Sequence, residues 1–183
     1  RLLNGELEHR IKNALTVIQA IVNQTFRSPG GKEEARKALM QRIGALADAQ
    51  TLLTRSSRAE AGIREVVEQA LAPFRTGKGR FRIEGPLVML SARQSLSLAL
   101  AINELATNAL KYGALSNNAG EVHLTWSAGR PGTEEGFRLT WAEIGGPRVS
   151  RPTRKGFGSR IIEKVLAQDF RGRSAVTYDP DGL

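Results

Sequence analysis

Cysteine is absent from the 183 residues of this chain. That excludes disulfides, thiolate metal centres and a cysteine nucleophile. Histidine is almost as scarce. His9 and His123 are the only two, too few for a histidine-built zinc site without carboxylates. No apolar run approaches the roughly 20 residues that span a bilayer, so no direct membrane segment is expected, and no signal peptide is visible. Aromatic residues make up only 5% and do not interleave with the basic ones. This argues against a stacking platform for single-stranded nucleic acid. Positive charge is what the chain has in excess: 27 Lys and Arg against 18 Asp and Glu, a net +9. A basic balance favours a polyanionic partner such as a nucleotide, a nucleic acid, an anionic membrane or an acidic protein. A nucleic-acid reading rests on that charge alone. The remaining composition, 40% hydrophobic and 25% charged, is that of a globular protein with one domain or two small ones. The chain opens on an arginine inside a helical pattern, and the expectation is a fragment of a longer protein.

Residues 1–27 read as one amphipathic helix. Leu7, Ile11, Ala14, Ile18 and Ile21 form a heptad-like seam, widened by Leu15 and Val22. Ser28-Pro-Gly-Gly31 stops it. A second helix is expected from Lys32 to Thr54, with Leu39, Ile43, Leu46 and Leu53 as its seam and Gln50 as an awkward member. Two antiparallel helices cannot bury both stripes alone. A second copy of the hairpin would complete a four-helix bundle, so a homodimer through residues 1–56 is expected. His9 lies about 200° around the helix from both Leu7 and Ile11, and so faces away from the seam. Glu6 and Asn13 share its face, and Glu8 and Arg10 flank it. A neutral imidazole in such a setting can act as a nucleophile. A plain surface histidine is the other reading of the same pattern.

Arg55–Gly62 has few apolar side chains and reads as a linker. Beyond it, Ile63–Phe74 is helical, while Phe81–Glu84 and Val88–Leu90 are short strands. Glu121–Ser127 and Gly136–Glu143 alternate as two further strands. Arg173–Tyr178 would be a last strand. The central stretch is Leu98–Gly113, a helix whose apolar residues Leu98, Ile102, Leu105, Ala106, Ala109 and Leu110 recur at spacings of three and four. Ser91 can cap it. Glu104, Asn108 and Lys111 stand at i, i+4 and i+7, on one stripe. Carboxylate and carboxamide oxygens suit magnesium, and an ammonium suits a phosphate oxygen. A solvated helix face would show the same spacing. Gly156-Phe-Gly-Ser159 precedes a helix over Ser159–Asp169, with Arg148, Arg151, Arg154 and Lys155 just upstream. Glycines there let backbone N–H groups approach an anion.

His9-Arg-Ile-Lys-Asn13 resembles the phosphoacceptor box of the HWE-type sensor histidine kinases. Glu104-Leu-Ala-Thr-Asn-Ala-Leu-Lys-Tyr-Gly-Ala-Leu-Ser116 is similar to that family's N box. Trp141-Ala-Glu-Ile-Gly-Gly-Pro147 and Gly156-Phe-Gly-Ser159 resemble its two glycine boxes. The boxes occur in the family's order and cover nearly the whole chain. One departure is Asn103, which stands where the family carries a histidine. Asparagine exchanges hydrogen bonds but takes up no proton near pH 7. If the family's histidine only orients neighbours, little changes. If it handles a proton, activity is weak here.

The resemblance implies an α+β protein in two parts. Residues 1–56 would be a dimerisation and phosphotransfer hairpin, and residues 62–183 an α/β sandwich that binds ATP, of Bergerat type. It implies that His9 takes the γ-phosphoryl group of ATP and passes it to an aspartate of a response-regulator receiver. Asn108 would hold Mg2+ with Glu104 nearby, Lys111 would contact phosphate and Tyr112 would line the nucleotide site. Glu143 would recognise adenine, with Gly145 and Gly146 keeping that wall free of side chains. Gly156, Phe157, Gly158 and Ser159 would close the phosphate end, below a lid from Arg148 to Lys155. Glu8, Arg10, Asn13, Asn103 and Trp141 would support these groups. Glu6 and Glu8 are both candidates to accept a proton from His9. The resemblance also implies a cytoplasmic bacterial kinase whose sensor domain lies outside this chain, with no nucleic-acid partner. Two other classes remain open: a phosphotransfer scaffold whose nucleotide domain binds no ATP, and an ATPase or serine kinase on the same fold.

Overall fold

The computed structural model describes Ile18, Gln19, Val22 and Thr25 and residues 31–55, 60–75, 79–129, 136–148 and 157–178. Ile18, Gln19, Val22 and Thr25 are helical. Helix α1 (Lys32–Arg55) follows, with Glu33 and Glu34 in its first turn, where the helix dipole favours negative charge. Arg36 beside Glu33 holds the exposed Glu33 carboxyl below the usual carboxylate range.

Strand β1 (Glu60–Gly62) is the next element described. It is paired antiparallel with β3 (Met89–Ser91). Between them lie α2 (Ile63–Leu71), a 3-10 turn over Ala72–Phe74, and β2 (Phe81–Glu84). Ile63, Val66, Val67, Ala70 and Leu71 give α2 one wholly buried face, the stripe its spacing predicts.

Helix α3 (Ala92–Lys111) is the axis of the fold. Ser91 caps it in a full capping box with Gln94, satisfying N–H groups the first turn leaves without partners. It packs against α1, α2 and the final helix. The sheet beneath runs β2–β4–β5, where β4 is Glu121–Ser127 and β5 is Arg138–Ile144. Strand β2 is parallel to β4, and β4 is antiparallel to β5. Val122, Leu124 and Trp126 of β4 face inward and are buried, as their alternation predicts. The last helix begins as α4 (Phe157–Arg160), continues as a π-helical stretch over Ile161–Leu166 and ends in Ala167–Asp169. Phe137 and Phe170 stack with centroids 5.3 Å apart, tying the approach to β5 to that helix's end.

Two expectations change. Arg173–Tyr178 is not a strand. Its alternation survives as alternating exposure, but no ladder pairs with it among the described residues, and a strand needs that partner. Leu110, expected on the apolar face of α3, is half-exposed and borders a cleft against α1. No described helix is long and apolar enough to cross a membrane.

Candidate functional site

Two clusters form around α3. The first joins the end of that helix to the first glycine box. Leu139 and Trp141 set the inward phase of β5, and Glu143 continues it, which brings a carboxylate into the core side of the sheet. Glu143 is 5% exposed. Its Oε2 accepts the backbone N–H of Ala114 at 2.8 Å, and its Oε1 accepts Trp141 Nε1–H at 3.1 Å. The first bond stitches β5 to the turn that follows α3, and the second, within β5, fixes the carboxylate's orientation. Both partners are donors, which suits an acceptor-only group.

Glycines make this approach possible. A Cβ at Gly113 would overlap Glu143 Oε2 and stand 2.9 Å from its Cδ. A Cβ at Gly146 would stand 2.8 Å from Ala114 Cα. Gly145 adopts φ +70°, a conformation glycine reaches without a steric penalty. Asn117 donates from Nδ2 to the Gly145 carbonyl at 2.9 Å, and its Oδ1 accepts the N–H groups of Ala119 and Gly120. Arg80 donates to the carbonyls of Ala114 and Gly120, each at 2.8 Å. The turn after the N box is thus held from both sides. Exchanging Glu143 for Gln should cost about 1–3 kcal/mol, because a carboxamide presents one oxygen and one NH2 to two donors. Thermal unfolding of Glu143→Gln checks this, and an unchanged midpoint would contradict it.

The second cluster joins the N box to the second glycine box. A Cβ at Gly158 would stand 3.3 Å from Glu104 Cβ and Oε2 and 3.6 Å from Asn108 Nδ2. The start of α4 therefore lies directly against the stripe of α3. Asn108 and Lys111 of that stripe are exposed, and so is Tyr112, at 72%. Glu104 is not solvated: it is 8% exposed and paired with Arg42 of α1. Arg42 Nε meets Oε1 at 2.6 Å and Nη2 meets Oε2 at 3.1 Å. Asn103 is buried and lines the cleft between α1 and α3. Ser159 is half-buried, and Phe157 is the first residue of α4. Trp141 is half-buried beside Glu143.

Glu6, Glu8, His9, Arg10, Asn13 and Gly156 lie outside the described residues, as does most of the expected lid. Arg42, Thr25, Arg80 and Asn117 play no part in the sequence reading. Their partners lie far along the chain or on backbone atoms, and only Asn117, beside the N box in a polar turn, carried a local signal. Among the described residues no three His, Asp or Glu side chains gather as a metal cage. The carboxylate of Glu104 and the carboxamide of Asn108, on one helix stripe, form a donor set that fits magnesium, which keeps water and substrate oxygens as its other ligands.

A helical segment preceding an α+β unit, with the N box and both glycine boxes drawn together, defines the fold of a histidine kinase core. Residues 6–87 match the family model described as HWE histidine kinase. That match and the relatives that follow support a likeness to the HWE-type sensor histidine kinases. All 183 residues align at 41% identity with a blue-light-activated histidine kinase of Brucella anthropi and at 39% with one of Brucella ovis. The chain spans 37% of the length of each of these relatives. The fold is similar to that of the histidine kinase domain of a blue-light activated histidine kinase from Erythrobacter litoralis. That match has TM-score 0.60 and 20% identity, covering 93% of this chain and 90% of that one. A longer structure of the same Erythrobacter kinase gives TM-score 0.65, covering 97% of this chain and 55% of that one.

Proposed function

We propose that this chain is the catalytic core of a sensor histidine kinase, which phosphorylates His9 from Mg-ATP and hands the phosphoryl group to an aspartate of a receiver protein. The observation that carries the reading is the meeting of Gly158 with Glu104 and Asn108, which puts the second glycine box against the N-box stripe. A phosphate chain would lie beside the exposed Asn108 and Lys111.

The reaction is an in-line displacement. A lone pair on an imidazole nitrogen of His9 forms the new N–P bond as the bond from the γ-phosphorus to the bridging oxygen breaks. ADP carries that oxygen away, and the imidazolium proton passes to Glu8, Glu6 or water. Little covalent chemistry falls to the protein, so positioning and charge neutralisation supply the rate. Asn108 and Glu104 would hold magnesium, which neutralises phosphate charge when bound. Lys111 would contact a phosphate oxygen, and the backbone at Gly156–Ser159 would lie over the phosphates. Glu143 would receive the exocyclic amine of adenine on lone pairs not used by Ala114 and Trp141. Gly145 and Gly146 form the wall beside it, and Tyr112 lies at the rim. The hairpin of residues 1–56 would pair with a second copy, and the segment near residues 55–62 would let the nucleotide unit reach His9.

A phosphotransfer scaffold without ATP binding is the second reading. It is favoured by the engagement of both Glu104 and Glu143 with protein partners. Titration calorimetry separates the two. The kinase reading expects ATP binding that weakens when magnesium is chelated, and no ATP binding would leave the scaffold.

A further inference from the structure

Arg42 of α1 ties Thr25 to the N box. Its Nη1 donates to Thr25 Oγ1 at 2.6 Å, while Nε and Nη2 grip the two oxygens of Glu104. Thr25 is buried, and the Arg42 and Glu104 side chains are only 11% and 10% exposed. A fork of this kind is geometrically specific and strong where water is scarce.

A cleft of about 320 Å³ opens between α1 and the nucleotide unit, bordered by Gln41, Gly44 and Ala45 of α1 and by Ala70, Pro73 and Asn103 across from them. No atom lies within 4 Å of where a Cβ on Gly44 would stand. Ala45 and Leu46 of α1 are buried. Both belong to the same apolar core as α2 and α3, and the ion pair adds a specific polar tie to that contact.

We propose that Arg42 is a latch on the N-box carboxylate, holding the nucleotide unit docked on the hairpin until Mg-nucleotide displaces it from Glu104. This rests on the kinase reading above for the role of Glu104. A divalent cation sits about 2.1 Å from its carboxylate oxygen. Such an ion on Oε1 or Oε2 would stand beside the guanidinium, and two like charges in a water-poor pocket repel strongly. Glu104 thus serves one cation at a time. With Arg42 the unit is docked and its carboxylate is withheld from the metal. With magnesium the fork opens, α1 is released and the unit is free to travel to His9. Arg42 acts only through Glu104 and touches no substrate.

The absence of native cysteine makes the test direct. Met40→Cys on α1 and Leu87→Cys on the nucleotide unit replace exposed side chains that can take spin labels. The full 183-residue chain, diluted with unlabelled chain, is measured by pulsed EPR without ligand, with Mg-ADP and with ADP plus chelator. One short distance is expected without ligand and a longer, broader population with Mg-ADP. The chelated sample should resemble the free protein. Arg42→Met should show the long population without ligand and bind Mg-ADP several-fold more tightly, whereas Arg42→Lys should retain part of the short one. An unchanged distance on adding Mg-ADP, or weaker binding by Arg42→Met, overturns the latch. Should Arg42→Met fail to fold, the response of the parent decides alone. If Mg-ADP opens the parent but ATP leaves no label on His9, the kinase reading fails and the latch stands. If neither parent nor variant binds nucleotide, both fail.

Discussion

Gly113→Ala should lower the midpoint of thermal unfolding by about 10 °C. The added methyl group would overlap Glu143 Oε2 and stand 3.0 Å from the backbone Cα of Ala109. Neither neighbour can yield cheaply. Ala109 is inside α3, and Glu143 is pinned by Ala114 and Trp141. Overpacking of this kind costs about 3 kcal/mol, and each kcal/mol moves the midpoint of a domain this size by about 2–4 °C. Loss of the Ala114 bond would add to it. Calorimetric or circular-dichroism melts read the shift directly. A change below about 2 °C would mean that Glu143 does not occupy the position described.

Asn108→Ala should do the reverse, sparing stability and removing activity. Asn108 is exposed on the last turns of α3 and has no packing duty that alanine could not meet, so stability should move by no more than about 0.5 kcal/mol. Phosphorylation of His9 from ATP should fall about 100-fold or more, the scale of losing one oriented group at a charge-developing centre. The melt and the labelling rate on the same preparation decide it. Equal rates for parent and variant would remove Asn108 from the site, and a collapsed melt would make its role structural.

Local rules made much of the fold legible. The bounds of α1 follow from Pro29-Gly30-Gly31 ahead of it and the run of helix formers inside it. The capping of α3 follows from Ser91 and Gln94, and the span of β4 from strict alternation. The inward turn of Glu143 was readable too, since it extends the phase of Leu139 and Trp141. The stripe of Glu104, Asn108 and Lys111 was right in spacing, but its three members live differently. Burial of Glu104 depends on Arg42, 62 residues away, and no periodicity reports a contact of that range. Arg80 was equally hidden, because it binds carbonyls rather than side chains. The π-helical turn after Arg160 and the unpaired alternation of Arg173–Tyr178 had the same origin: tertiary context, not local pattern, decides them.

The central claim is that His9 receives the γ-phosphoryl group of ATP through a site containing Asn108. Incubation with γ-labelled ATP and magnesium tests it on the parent, His9→Ala and Asn108→Ala. The account predicts an acid-labile, base-stable label on the parent that disappears from His9→Ala and nearly disappears from Asn108→Ala. Label of equal strength on His9→Ala, or a parent that stays unlabelled with ATP bound, would contradict it.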